Sequence, residues 1–524
     1  MKKMHKDYVK MGVLSPVTFA EYVKEWAEKY GDRIAAVDEE DEITYSELHH
    51  KSSRLASGLK KLGIGKGDRV AVQLPNCISF LLVCFAVHKI GAIPLMVLPA
   101  MREQEIAGIF RKGTPKAYVI PERFLGFEYG PMAESVKAQC DFLEHIITCG
   151  NDGDLTLESL YDDNEAEVFG GFADQPAFLL LSGGTTNTIP KLIPRTHMDY
   201  AYTAVAGGKK CGFNENTVYL AALPAEHNFT LGNPGILGTL FVGGKVVFSM
   251  TTSADETFPL IEDEGVTDTS VVPSVLKLWI KEAEYDEYDI SSLKVIMVGG
   301  SKLEHALAEQ VKPALGCCLR QVYGTAEGLN TCTALDDPID VIVNTQGTPF
   351  SEYDEIRIAD ENGDAVPNGT AGELLLKGPY TIHGYYNAPE QNKVSFTEDG
   401  FYKSGDMAML TEDGNLVIIG RMVEQINKGG EKIRPSEVEE VLLSYDKITD
   451  AAVVGMKDAD LGEKIAAFVV TDGSDISEEE IRQYFFKKKV TGYKIPDKLV
   501  KIDKLPLTKM GKPDKKELKK MLGQ

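Results

Sequence analysis

The residues best suited to chemistry begin at Leu181, where the apolar run 177–180 passes into LSGGTTNTIPK and ends on Lys191. Gly183 and Gly184 lack a β-carbon, so their backbone N–H groups can come close to an anion. Ser182, Thr185 and Thr186 add hydroxyl donors, and Lys191 adds a cation at the rim. Rows of N–H and O–H donors beside an ammonium suit phosphate, and hence a nucleotide. The same composition also makes ordinary surface turns. It does not follow the Walker pattern, which ends Gly-Lys-Ser/Thr, because Lys191 stands between Pro190 and Leu192. More distant segments must decide.

Four do so. Tyr323-Gly324-Thr325-Ala326-Glu327 follows an apolar run, Ser404-Gly405-Asp406 follows Phe401 and Tyr402, Gly420-Arg421 precedes INKGGEK at 426–432, and 506–512 reads PLTKMGK. In order and spacing, these segments and the first loop resemble the adenylate-forming superfamily. That superfamily contains acyl-CoA synthetases, adenylation domains of nonribosomal peptide synthesis and luciferases. The resemblance covers essentially the whole chain. Within the superfamily, LSGG…KLIPRTH at 181–197, His227-Asn228-Phe229 and INKGGEK are most similar to the stand-alone 2,3-dihydroxybenzoate and salicylate AMP ligases of siderophore pathways. Asn344-Thr345-Gln346-Gly347 and GPYTIHGYY at 378–386 look similar too.

Joining a carboxylate to the α-phosphate of ATP brings two anions together, so a site must neutralise charge, align the attack and stabilise departing pyrophosphate. The resemblance implies that the 182–191 loop grips the β- and γ-phosphates and that Glu327 partly holds a Mg²⁺ ion offsetting their charge. As a residue type alone, Glu327 could equally be a helix N-terminal carboxylate. Tyr323 is implied to face adenine, with Gly299, Gly300 and Ser301 allowing close backbone approach, although a tyrosine after Val322 could also fill core. Asp406 is implied to accept the ribose hydroxyls, with Arg421 nearby; otherwise it is a turn aspartate.

Lys512, set on a loop by the preceding glycine, is the expected catalytic cation, and an ammonium on a flexible stem suits a moving bridge. In the family, the small domain then turns, withdrawing that lysine and bringing Gly429, Gly430 and Lys432 toward a pantetheine thiol. His227, Asn228 and Phe229 are expected to line the acid pocket. Asn228 offers both a donor and an acceptor for an ortho-hydroxyl, or else satisfies buried backbone groups.

The chain departs from the family at three places. Asn187 stands where relatives usually have Gly, in a loop one residue longer before Lys191, and Asn tolerates the left-handed turn better than most residues. Val423-Glu424 replaces the usual hinge pair. Asn233 occupies the pocket position that is commonly Ser in dihydroxybenzoate enzymes and Cys in salicylate enzymes, and it is expected to act at the ring 3-position.

A chain of 524 residues exceeds one ordinary core, and 43% apolar residues suffice to bury more than one. The segment 18–30 spaces Phe19, Tyr22, Val23 and Trp26 helically, behind a Thr18/Glu21 capping pattern. Short β-rich runs at 69–74, 117–120, 245–249, 269–272 and 294–298 alternate with helical patterns, which predicts α/β layers whose strand ends gather ligand. From about 350, runs at 355–358, 372–377 and 415–419 between turn signals predict a β-rich subdomain. The expected fold is therefore a large α/β domain over 1–420 with that subdomain, plus a small mobile α+β lid over 421–524, hinged at 421–426. The apolar window 78–87 is about half a bilayer span.

A net charge of −23 repels nucleic acid and anionic membranes, so neither is an expected partner. Eight cysteines show no CxxC pair, and the first residues lack the apolar core of a signal peptide, which together predict a cytoplasmic protein. The expected activity is ATP- and Mg²⁺-dependent activation of a small aryl acid and its transfer to the phosphopantetheine thiol of a separate carrier protein. An acyl-CoA ligase using the same adenylate, and a non-catalytic nucleotide-binding regulator, are the alternatives.

Overall fold

The protein is described by a computed structural model over residues 7–166, 168, 170–182, 190–285, 287–301, 303–421, 425–506 and 513–523, with the backbone alone at Arg421. The capping pattern at Thr18 forms as its spacing predicts. The Thr18 side chain accepts from the Glu21 backbone N–H, Glu21 reaches back to the Thr18 N–H, and the helix Phe19–Tyr30 turns Phe19, Val23 and Trp26 into the core. The helix Ile78–Lys89 is buried nearly all round, as a helix apolar on every face must be. Among the described residues no helix is long and apolar enough to cross a membrane.

Among these residues the strands form two large sheets. The first, of nine strands, runs in the order Thr348–Pro349, Gly328–Cys332, Cys318–Thr325, Val295–Val298, Asp268–Val271, Val218–Ala221, Lys245–Phe248, Ile34–Val37 and Glu42–Thr44. Its centre is parallel, and its strands are rich in Val and Ile because both faces are covered. The second sheet orders Leu192–Thr196, Pro176–Leu181, Ile93–Met96, Arg69–Val72, Ala117–Pro121 and His145–Cys149. One hydrophobic core joins the two, uniting Phe80 and Val72 with Tyr219 and Met297.

The β-rich region is a four-stranded antiparallel sheet of Glu355–Ala359, Gly372–Lys377, Tyr402–Leu410 and Leu416–Arg421. A separate five-stranded sheet follows, built on the long pair Ile448–Asp458 and Gly462–Thr471 with the hairpin Ile426–Lys428 and Glu431–Ile433 at its edge. Lys498–Lys501 pairs with it in parallel. Ile426, Ile433, Val453, Ile465 and Phe485 fill one face, and Ala452, Phe468, Leu505 and Leu518 the other. The layered α/β architecture with a β-rich unit and a smaller C-terminal unit agrees with the expectation from sequence.

Candidate active site

The strand ends of the nine-stranded sheet open on a cavity of about 410 Å³. Its wall includes Ser182, His227, Asn228, Phe229, Asn233, Gly299, Gly300, Gly324 and Glu327 from the large sheets, with Ser404 from the antiparallel sheet. Gly429, Gly430, Glu431 and Lys432 close it from the small sheet. Lys191, Ser301, Tyr323 and Asp406 are not part of this wall. Gly183, Gly184, Thr185, Thr186 and Lys512 lie outside the described residues, as does the side chain of Arg421.

The described ends of the glycine-rich loop are pinned together. Ser182 donates its N–H to the Lys191 carbonyl at 3.0 Å, and its Oγ accepts the Lys191 N–H at 3.0 Å. Lys191 is buried, with its ammonium 4.5 Å from the Tyr385 ring centre. Lys191 thus places one cation at the base of the loop, within a protein of net charge −23.

Gly299 and Gly300 follow the strand Val295–Val298, and the first has no room for a side chain. A β-carbon there would stand 2.8 Å from the Val322 carbonyl and 3.3 Å from the Phe229 ring. Gly324 is equally confined: its β-carbon would meet Asn330 Oδ1 at 2.2 Å and Asn233 Nδ2 at 2.7 Å. Those two amides are bonded to each other, Asn233 Nδ2 donating to Asn330 Oδ1 at 2.9 Å. Among the described residues their remaining atoms, Asn233 Oδ1 and Asn330 Nδ2, are buried without a partner, as is Asn228 Oδ1. Buried polar atoms left unpaired cost stability, so these two amide oxygens can accept, and the amide nitrogen can donate, a further hydrogen bond.

Glu327 does not begin a helix. It lies in the tight turn between the antiparallel strands Cys318–Thr325 and Gly328–Cys332, which excludes the helix-terminus alternative. The turn is fixed by Arg195, a fully buried guanidinium that donates to Asp199 Oδ1 at 2.8 Å, Thr203 Oγ1 at 2.9 Å and the Ala326 carbonyl at 3.0 Å. Tyr385 donates its O–H to Glu327 Oε1 at 2.8 Å. Burial and the Glu327 charge both push the Tyr385 hydroxyl up, keeping it a donor. Among the described residues no three His, Cys, Asp or Glu side chains cluster as a metal cage. A single carboxylate nonetheless fits Mg²⁺, which takes one or two carboxylates and completes its shell with substrate phosphate and water.

Asp406 is buried. Its Oδ2 accepts the Tyr323 O–H at 2.6 Å, and its backbone is held by Ser404 Oγ at 3.0 Å. It stands opposite Arg421 in strand register, so the ribose-side pair expected from sequence shares one strand pair.

The small sheet's hairpin presses on the cavity mouth. Asn427 Nδ2 donates to the Gly300 carbonyl at 3.2 Å, and a β-carbon on Gly430, where φ is +93°, would meet Val272 at 2.9 Å. Glu431 Oε1 is 3.8 Å from His227 Nε2. Burial raises the Glu431 carboxyl, but His227, Lys494 and Lys432 outweigh it and hold it below the usual range. Sequence reasoning missed Glu431, Arg195, Tyr385 and Asn330. Glu431, Arg195 and Tyr385 stand inside the motif stretches INKGGEK, KLIPRTH and GPYTIHGYY, whereas Asn330 lies in none of them.

Comparison with known proteins agrees with this geometry. Residues 23–386 match the AMP-binding enzymes and residues 437–512 the C-terminal domain of AMP-binding enzymes. The chain is 43% identical over 523 residues to the 2,3-dihydroxybenzoate-AMP ligase of Bacillus subtilis (strain 168), covering 100% of this chain and 97% of that one. It is 41% identical to the salicyl-AMP ligase / salicyl-S-ArCP synthetase of Mycobacterium tuberculosis, over 99% and 93% of the two chains. The apo structure of Mycobacterium smegmatis MbtA superposes with a TM-score of 0.76 at 38% identity, covering 99% of this chain and 98% of that one. The chain therefore belongs to the family of AMP-binding, adenylate-forming enzymes.

Proposed function

We propose that this protein is an ATP-dependent aryl-acid AMP ligase that activates a hydroxybenzoate of the 2,3-dihydroxybenzoate or salicylate type and passes it to a phosphopantetheine thiol. One observation carries the reading. Gly299, Gly300 and Glu327 share a single cavity with Asn228 and Asn233, whose amide oxygens lack partners among the described residues. A nucleotide side and an acid side that meet in one space are what joining the two substrates requires.

In the first half-reaction an oxygen of the aryl carboxylate attacks the α-phosphorus of ATP. A carbonyl–oxygen–phosphorus link forms, the bond to the β-phosphate oxygen breaks, and pyrophosphate leaves with that electron pair. Ser182 and Lys191 hold the two ends of the loop assigned to the departing phosphates. Asp406 accepts the ribose hydroxyls, and Tyr323, bonded to it, presents its ring to adenine. Bound Mg²⁺, with Glu327 as its protein carboxylate, supplies charge neutralisation at the phosphates. Asn228 accepts from the ortho-hydroxyl, and Lys512 bridges the carboxylate and α-phosphate.

In the second half-reaction the thiol sulfur attacks the acyl carbon. The C–S bond forms, the C–O bond to AMP breaks, AMP departs with the electron pair, and the thiol proton passes to water. We place the domain division at 420–426 and assign Gly429, Gly430 and Lys432 to the thiol's approach. The eight cysteines form no disulfide, which supports a reducing, cytoplasmic setting.

The test is acid-dependent ATP–pyrophosphate exchange with salicylate, 2,3-dihydroxybenzoate, benzoate and fatty acids. Exchange is expected with the hydroxybenzoates, and exchange with fatty acids alone rejects the aryl assignment. Offering CoA and a phosphopantetheinylated aryl carrier protein to the adenylate then separates the carrier-dependent enzyme from a CoA ligase.

A further inference from the structure

The contact that holds the hairpin at the cavity lies in the cavity's own wall, where Glu105 of the large domain meets Lys494 of the small one. The helix Glu103–Gly113 of the large domain carries Glu103 and Glu105 in its first turn. Glu105 is buried, and its Oε1 receives the backbone N–H of Thr491 at 3.2 Å and the Lys494 ammonium at 3.4 Å. Lys494 also meets Glu437 of its own domain at 3.0 Å. Lys489 pairs with Glu103 beside it. Burial pulls the Lys494 ammonium down, but Glu105 and Glu437 overcome that pull and keep it charged.

We propose that Glu105 and Lys494 are positioning residues for thioester formation, a buried latch that holds the small domain with the 429–432 turn against the cavity. The latch rests on the ligase reading above. It joins residues 389 positions apart on separate folding units, so it exists only in this relative placement of the two domains. Among the described residues, the flanks of the Lys512 loop, 501–506 and 513–523, contribute nothing to the cavity wall. The domain rotation that the family resemblance implies gives adenylation another placement, in which the latch is broken. Lys494 keeps Glu437 as a partner there, whereas Glu105 must be rehydrated or paired anew. Separating a buried ion pair is costly, so the latch biases the enzyme toward its second half-reaction.

The experiment uses the full chain and reads amide exchange and chemistry separately. In Lys494→Met the Thr491 N–H keeps its acceptor on Glu105, so a local view predicts no change at that amide. The latch predicts that exchange of the peptide 489–495 rises about ten-fold or more. The strands Ile448–Asp458 and Gly462–Thr471 stay protected, showing that the small domain is folded. Glu105→Ala gives the same pattern, and Lys494→Arg restores protection. Acid-dependent pyrophosphate exchange is expected to rise in Lys494→Met while acyl transfer from the adenylate falls, changing the ratio of the two rates. Unchanged exchange at 489–495, or equal loss in both half-reactions, overturns the latch. If the parent protein makes no acyl-AMP from any acid, the ligase reading fails while the amide-exchange result still decides the latch.

Discussion

Tyr323 donates its phenolic O–H to Asp406 Oδ2 at 2.6 Å, tying a strand of the nine-stranded sheet to one of the antiparallel sheet. The ring assigned to adenine and the carboxylate assigned to ribose are thus fixed relative to each other before a nucleotide arrives, which lowers the ordering cost of binding. Asp406→Ala is expected to raise the KM for ATP by about 10- to 100-fold, the scale of a hydrogen bond to a charged group. Tyr323→Phe retains the ring but releases Asp406, and its smaller rise should still reach several-fold. Titrating ATP in pyrophosphate exchange measures both. Identical KM values for Tyr323→Phe and the parent would remove this coupling.

Glu327 gives a second expectation, because one carboxylate makes metal binding depend on ATP. Glu327→Gln should raise the Mg²⁺ concentration for half-maximal exchange about ten-fold or more while leaving thermal unfolding without nucleotide nearly unchanged. Tyr385→Phe, which removes only the O–H donated to Glu327, should shift it less. A Mg²⁺ dependence that both variants share with the parent contradicts the metal role.

Lys512→Ala is expected to reduce acyl-AMP formation by at least about 100-fold, the scale of losing a preorganised charge at a transition state. The large domain should remain folded, as judged by unaltered ATP protection of its thermal transition. Equal exchange rates in the two proteins would take the catalytic role from this lysine.

Elements whose determinants are adjacent in sequence were readable from it. Thr18 and Glu21 stand three residues apart and fix one helix start, while the alternation of strands and helices through the first 300 residues announces layered sheets. Contacts between distant segments were not readable. Arg195 reaches the Ala326 carbonyl across 131 residues, and Asn233 meets Asn330 across 97. Spacing along the chain says nothing about such pairs, and a buried arginine inside KLIPRTH has the same letters as an exposed one. The strand turn that holds Glu327 was hidden for the same reason, since an acidic residue after Gly-Thr-Ala also suits a helix start. The resemblance to a family named the residues, and the sheet topology supplied what holds them.

Asn233 and Asn330 form a polar pair at a wall that also carries Phe229 and Leu223. Asn233→Ser keeps a small polar group but frees Asn330 Oδ1 and opens space beside Gly324. The variant is expected to gain on 2,3-dihydroxybenzoate relative to salicylate by about 10-fold, the scale of one hydrogen bond made or left unmade. Pyrophosphate exchange with salicylate, 2,3-dihydroxybenzoate and benzoate reads the ranking. An unchanged order and ratio would remove Asn233 from substrate choice.

Asp268, in the centre of the nine-stranded sheet, predicts how stability changes with pH. It is buried, its Oδ2 accepts the Thr267 hydroxyl at 2.7 Å, and desolvation pushes its carboxyl up to about 6 against the opposing pull of Thr267 and Arg320. The unfolded group titrates near ~3.9. Between these values the folded protein holds a proton that the unfolded chain has lost, so this group's contribution to stability falls as pH rises from about 4 to about 6. Above that window the full penalty remains, up to about 3 kcal/mol at ~1.4 kcal/mol per unit. Asp268→Asn keeps the acceptor for Thr267 and abolishes the titration. The variant should therefore match the parent near pH 4 and exceed it in Tm at pH 7, and a stability difference that does not change between those pH values would show that Asp268 is ionised throughout.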